Sequence, residues 1–570
     1  MQRRLWLVAG VAVALLAVGA TASATTSSSS SAQLAAAPFA QAWANVPRTT
    51  AARKAKSVLV FGMEQDVAGF NTGEESQNAY WAALTGNTPV LRGIYIVDDL
   101  GNYHLDLATK VDATRGGLSI TIRPDAYWYW QGHARAPVTY RDFVYTWKAF
   151  VDPKHTAASV TGYDQITGFT HKGLRQITFT WKKPFADYRD LFGLIYPSAA
   201  VGGLDWNTMW SSCVCGNDGK PVSDGPYYLA AYTRGQGLTL KPNPYWYGKK
   251  PSLKEIDFKL ITDTNSEIQA MRGGEVDAIN PSPQTALRQL VHQAGLHYSS
   301  LPGYTQEHLD ISQGGTGNPL LKQLWFRQAI ALGINRTSLI KALFGQIAPR
   351  LRPLNNPYYE IGPNAVPYFD EYAFSQKKAL ALLKAHCTGG PPVPTRNNSS
   401  YWTCNGQPAE IRFTTSAGNQ RRATSAAIFS QQLQAVGIKV NPVFQPANPN
   451  FFGTTLPNHD FDVAEFAWLG GPDPSGFDSD YVCGGGQNYK SYCNRQVDAL
   501  QKRGESELDA KKRTALYEQA AKIVAHEVAV VPLYSPPQIL VYKTGIGGME
   551  HSNNPTLLGP TWNVEQWHWK

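Results

Sequence analysis

The chain has 570 residues, a formal net charge of +9 and 12% aromatic residues, including 16 Trp and 28 Tyr. Its Lys and Arg residues are scattered rather than gathered into one stripe, which speaks against a nucleic-acid partner. So long a chain exceeds one ordinary core and predicts two or three packed domains.

Arg3 and Arg4 precede an apolar run over residues 5–20, followed by the small-x-small triplet Ala22-Ser23-Ala24. This is the layout of a secretory signal, expected over residues 1–24 with cleavage after Ala24. The run is shorter than the roughly 20 residues a membrane span needs. The first cysteine is Cys213, so no lipid anchor is expected there. Residues 25–56 are rich in Ser, Ala and Thr and read as a flexible tether. No later stretch approaches a spanning length without charge, so the mature protein is expected to be soluble.

Strands are predicted at 57–62, 118–122 and 177–181, from a buried run and two period-two alternations. A helix follows Thr139. From Thr264 helices dominate: a Thr264-x-x-Glu267 capping box opens one that stops at Gly273 and Gly274. Asn318 and Pro319 open a long helix through Gly333, and another runs from Asn335 to Phe344. A helix over 419–436 stops at Gly437 and leads into a strand at 438–440, an α/β unit. The last long helix starts near Asp509. Strand-like sequence returns at 530–534 and 539–542, so the two ends of the chain share one character around a helical insert. That pattern predicts a split domain with a hinge near 258–264 and 529–534.

The six cysteines of an exported chain point to disulfides. Proximity favours Cys387 with Cys404 and Cys483 with Cys493, leaving Cys213 with Cys215. A Cys-x-Cys metal hook would need further ligands, and none stands nearby.

The segments Ser223-Asp224-Gly225-Pro226-Tyr227-Tyr228 and Lys241-Pro242-Asn243-Pro244-Tyr245-Trp246 resemble the family 5 extracellular solute-binding proteins, the dipeptide and oligopeptide binders of ABC importers. Gly274-Glu275-Val276-Asp277, Phe326-Arg327-Gln328-Ala329-Ile330, Phe461-Asp462-Val463 and Asn494-Arg495-Gln496-Val497-Asp498 keep the same order along the chain. Most of these residues read as scaffold, with Arg327 expected to pair with a carboxylate. The resemblance implies an α/β, two-lobed periplasmic-binding-protein fold with an extra subdomain. Lobe I is expected over 57–263 with the subdomain at about 101–221, lobe II over 264–529, and a return to lobe I over 530–570. It also implies a monomer that closes over an extended peptide and hands it to a permease. No cofactor or metal is implied.

The family often places an acid shortly after a Trp, where this chain has Trp468 followed by Gly470 and Gly471. Asp473 fits the next turn, and Glu465 lies where some relatives carry Arg. The remaining ligand candidates are Glu64, Gln65, Phe70 and Asn71 after the first strand, Gly303 and Tyr304, and Asn419 and Arg421 at a helix start suited to an anion. Two rivals are carried forward. One is the same fold with a metal chelate, haem or sugar as cargo. The other is a secreted hydrolase, against which no Gly-x-Ser-x-Gly elbow is present and His526-Glu527 lacks a second His.

Overall fold

The computed structural model describes residues 56–359, 364–471, 474–556 and 558–570. The expected signal and, apart from Lys56, the expected tether lie outside the described residues.

A seven-stranded sheet organises the first lobe. Its strand Val58–Met63 buries Leu59, Phe61 and Met63 completely. It pairs in parallel with Glu255–Leu260 on one side and with Ala278–Ile279 on the other. Gly237–Pro242 and Tyr227–Thr233 extend one edge, and Pro537–Lys543 and Leu296–Pro302 the other. A separate four-stranded sheet, Ala108–Thr114, Gly117–Ile122, Gln176–Trp181 and Ile166–Lys172, forms the additional layer of this half. The helix Tyr140–Val151 begins at Thr139, whose hydroxyl accepts from the Arg141 amide while Asp142 accepts from the Thr139 amide.

The second lobe is built on a five-stranded sheet in the order Lys439–Gln445, Glu410–Ser416, Val463–Leu469, Thr305–Ile311, Val530–Tyr534. Helices Leu324–Gly333, Arg336–Phe344 and Gln420–Ala435 supply apolar side chains to a core shared with this sheet. Gly437 holds φ at +86°, the left-handed stop its sequence position predicts.

The chain crosses between the two sheets at two adjacent places. Leu296–Pro302 of the first sheet runs through Gly303 and Tyr304 into Thr305–Ile311 of the second. Val530–Tyr534 of the second runs through Ser535 and Pro536 into Pro537–Lys543 of the first. The Ser535 hydroxyl donates to the Gly303 carbonyl at 2.5 Å, tying the crossings together.

These pairings differ from the expected boundaries. The first crossing falls at Gly303/Tyr304 rather than near 258–264, and the second at Ser535/Pro536, directly after the expected 529–534. The stretch after Thr264 is helical at first, yet its strands Ala278–Ile279 and Leu296–Pro302 join the first sheet. Val530–Tyr534 joins the second, because Val530, Val531, Leu533 and Tyr534 are all fully buried there. Local pattern marks a strand, but its partner is set by the packed whole.

Three smaller expectations also shift. The helix Thr264–Arg272 is capped by Asp263, which accepts from the Ser266 amide at 2.8 Å, so Thr264 does not form a capping box. The long helix after Asn318 divides into a short turn Pro319–Lys322 and the helix Leu324–Gly333. Arg327 donates to the carbonyls of Leu321, Lys322 and Glu527 rather than to a carboxylate. Disulfides join Cys213 to Cys215, Cys387 to Cys404 and Cys483 to Cys493, as the spacing predicts. No helix among the described residues is long and apolar enough to cross a membrane.

Candidate functional site

The side chains around the paired crossings come from both sheets. From the first, Glu64 follows directly on the strand Val58–Met63. Its carboxylate accepts from the Thr264 hydroxyl at 2.5 Å and from the Ser282 amide at 2.8 Å. Ser282 leads to Pro283, whose carbonyl accepts from the Arg421 guanidinium of the second lobe at 3.5 Å. Glu64 and Arg421 therefore stand on facing sides of one boundary. Gln65 is exposed beside Glu64. Nearby, the Tyr80 hydroxyl donates to Asn280 Oδ1 at 2.8 Å and accepts from Gln538 at 2.5 Å.

Arg421 is placed by the start of the helix Gln420–Ala435. The Asn419 side chain accepts from the amides of Arg421 and Arg422 at 3.1 and 3.2 Å, so Asn419 is committed to capping. The Arg421 guanidinium is half-buried, and its Nε has no hydrogen bond among the described residues.

Beneath this helix, Arg422 Nε donates to Glu307 Oε1 at 2.6 Å, and Arg422 Nη1 donates to Ser416 Oγ at 2.8 Å. Glu465 pairs across the ladder with Leu309 and Thr415, and it is fully buried. Burial and the neighbouring Glu307 push its carboxyl well above the usual range, against the pull of Arg422. Two arginines thus face one ionised glutamate and one neutral acid, which leaves positive charge over on this side of the boundary.

The opposite face of the same sheet holds a second buried group. Lys490 lies 2.5 Å from Asp480 and 3.1 Å from Asp310, with His308 Nε2 3.5 Å from Asp310. Burial and Asp310 push Asp480 up to about 6, although Lys490 opposes the shift. Trp468 packs here, edge-on to Phe466 at 5.2 Å and stacked with Tyr489 at 5.8 Å. Only 9% of it is exposed, so its ring belongs to the second-lobe core.

The other expected residues divide in the same way. Phe70 is fully buried edge-on to Tyr232, and Asn71 is fully buried between the Tyr196 hydroxyl and the Trp206 carbonyl. Both are held inside the first lobe. Gly470 donates to the Tyr304 carbonyl at 2.8 Å, which carries the ladder one step toward the crossing. Gly303 is the crossing itself, and a Cβ added at Gly471 would meet nothing within 4 Å among the described residues. Asp473 lies outside the described residues. The structure thus brings Glu64, Gln65, Gly303, Tyr304, Gly470 and Arg421 toward one boundary, and buries Phe70, Asn71, Glu465 and Trp468 away from it. Sequence reading missed Glu267, Ser282 and the group of Tyr80, Asn280 and Gln538. A glutamate among the apolar residues of the helix Thr264–Arg272 was the available signal. Among the described residues no group of three or more His, Cys, Asp and Glu side chains could hold a metal ion.

The sequence profile of the bacterial extracellular solute-binding proteins, family 5, matches residues 102–490. The chain belongs to this family. Among its relatives within and around family 5, the oligopeptide-binding protein OppA of Mycobacterium tuberculosis is 26% identical over 480 residues, covering 81% of this chain and 77% of that one. The oligopeptide-binding protein AppA of Bacillus subtilis is 23% identical over 491 residues, covering 82% and 84%. Among solved structures, AppA of Bacillus subtilis in complex with a nonapeptide superposes with a TM-score of 0.67 at 20% identity, covering 90% of this chain and 99% of that one. NikA of Brucella suis in complex with Fe(III)-EDTA gives 0.73 at 18% identity, covering 90% and 100%. The last two likenesses establish the two-lobed solute-binding fold.

Proposed function

We propose that this chain is exported, captures peptides at the boundary between its two lobes, and delivers them to the permease of an ABC importer. The observation that carries the reading is the likeness to oligopeptide-binding relatives over about four fifths of the chain. The site supports it. Paired crossings let two lobes move as bodies about a few residues. Arg421, whose own charge is left unbalanced once Arg422 is paired with Glu307, suits a peptide carboxylate, and Glu64 opposite suits a donor group. Gly471 leaves space for a backbone to approach. The protein acts by binding without turnover, as a monomer, after removal of residues 1–24.

Native mass spectrometry of the freshly purified protein tests this reading. A co-purified series of intact peptides is expected, and a single non-peptide mass would overturn the cargo while leaving the family unchanged. Chromatography of a peptide mixture before and after incubation checks turnover, and loss of any component sinks the pure-binder reading. Intact-mass analysis of the secreted form is expected to start at Thr25.

A further inference from the structure

Glu267 is fully buried, and neither of its carboxyl oxygens meets a hydrogen-bond donor. A Cβ built on Gly62 would lie 2.9 Å from its Oε1, so the absence of a side chain at Gly62 makes room for this carboxyl group. A buried carboxylate with no donor is too costly to persist in ionised form. Its interacting neighbour is the Glu64 carboxylate, which already accepts from the Ser282 amide and from the hydroxyl of Thr264, one turn before Glu267 on the same helix. Two acceptors in contact need a proton between them. Burial pushes Glu267 well above the ordinary carboxyl range, and Glu64 beside it adds to the rise. The proton therefore resides on Glu267, the more deeply buried partner.

We propose that Glu267 is a positioning residue that stays protonated and donates its hydrogen to Glu64, fixing Glu64 as the first lobe's acceptor for the ammonium group of a bound peptide. This rests on the peptide reading above. With three donors in place, from Thr264, Ser282 and Glu267, a carboxylate of about four acceptor positions keeps one for a ligand. Glu64 is half-buried, and its partner Ser282 adjoins the Pro283 carbonyl that Arg421 reaches, so the Glu64 carboxylate stands at the boundary between lobes. An ammonium there makes a charge-assisted hydrogen bond out of bulk water. The pair acts as one negative charge rather than two, which avoids mutual repulsion across the buried contact.

The test offers the protein an equimolar mixture of a tryptic casein digest and an N-terminally acetylated copy of it, and reads the ratio of free-amine to acetylated peptides retained. The wild type is expected to retain free-amine peptides in preference by about tenfold. Glu64→Gln should bring the ratio close to one. Glu267→Leu should do the same by releasing Glu64, whereas Glu267→Gln, whose amide still donates, should keep the wild-type ratio. Circular dichroism confirms that each variant is folded, and the Glu267→Gln arm separates positioning from packing. Peptides retained without preference, or a ratio unmoved by Glu64→Gln, would overturn the assignment and leave peptide capture intact. No peptide retained by the wild type would overturn both.

Discussion

Glu465 is an acid kept neutral by its surroundings. Its ordinary value is 4.5, and burial together with Glu307 raises it well above that. Above about pH 4.5 the unfolded chain releases this proton while the folded chain keeps it, so folding takes up a proton and stability falls as pH rises toward the folded value. Glu465→Gln removes that cost. The variant is expected to gain on the wild type by about 1 kcal/mol per pH unit in this range, read as a widening difference in thermal midpoint from pH 5 upward. A constant difference would place the carboxylate in a polar setting. Residue-scale reading from sequence was uneven for a physical reason. Arg421 and Glu64 follow helix and strand boundaries, where polar side chains face outward and can be recognised. Glu267 was read as part of a capping box, but the cap is Asp263, and that one-residue offset turns Glu267 into the core.

At the scale of elements, caps and stops were the most legible features. Asn419, Asn335 and Asp509 each accept from free amides at a helix start, and Gly437 takes the backbone shape only a glycine adopts cheaply. Asn419→Ala is expected to cost about 1 kcal/mol in denaturant unfolding, and Asn419→Asp to cost little, because a carboxylate still accepts from Arg421 and Arg422. Equal loss in both variants would give the Asn419 side chain a role other than capping. Strand existence was legible too, since alternation is local. Strand partnership was not: Val530–Tyr534 resembles the first third of the chain in composition, yet it lies beside Thr305–Ile311. Nothing within a five-residue apolar run distinguishes one sheet from another.

At the scale of the molecule, the lobes also meet away from their crossings. Ala186, in the segment after the strand Gln176–Trp181, donates to the Glu505 carbonyl at 3.1 Å. The adjacent Asp187 carboxylate accepts from the Arg513 guanidinium and the Ser475 hydroxyl of the second lobe. Asp187 and Arg513 are 8% and 7% exposed, so the pair is shielded enough to matter. This contact favours the approach of the lobes whatever the ligand, and it should set part of the equilibrium on which capture depends. Asp187→Ala is expected to weaken binding of co-purified peptides by about tenfold and to enlarge the unliganded protein in small-angle scattering. Unchanged affinity and size would show that the contact follows closure without driving it.

The sheet order has a consequence for how such a chain is made. In the first sheet Pro537–Lys543 lies between Ala278–Ile279 and Leu296–Pro302, and in the second Val530–Tyr534 closes the row beside Thr305–Ile311. A ribosome releases the chain from its N-terminus, so for most of synthesis both sheets lack a strand. The nascent polypeptide has no finished lobe to lock it in a compact state until the last tens of residues emerge. Neither lobe can complete its sheet long before the other, because the two missing strands emerge one directly after the other.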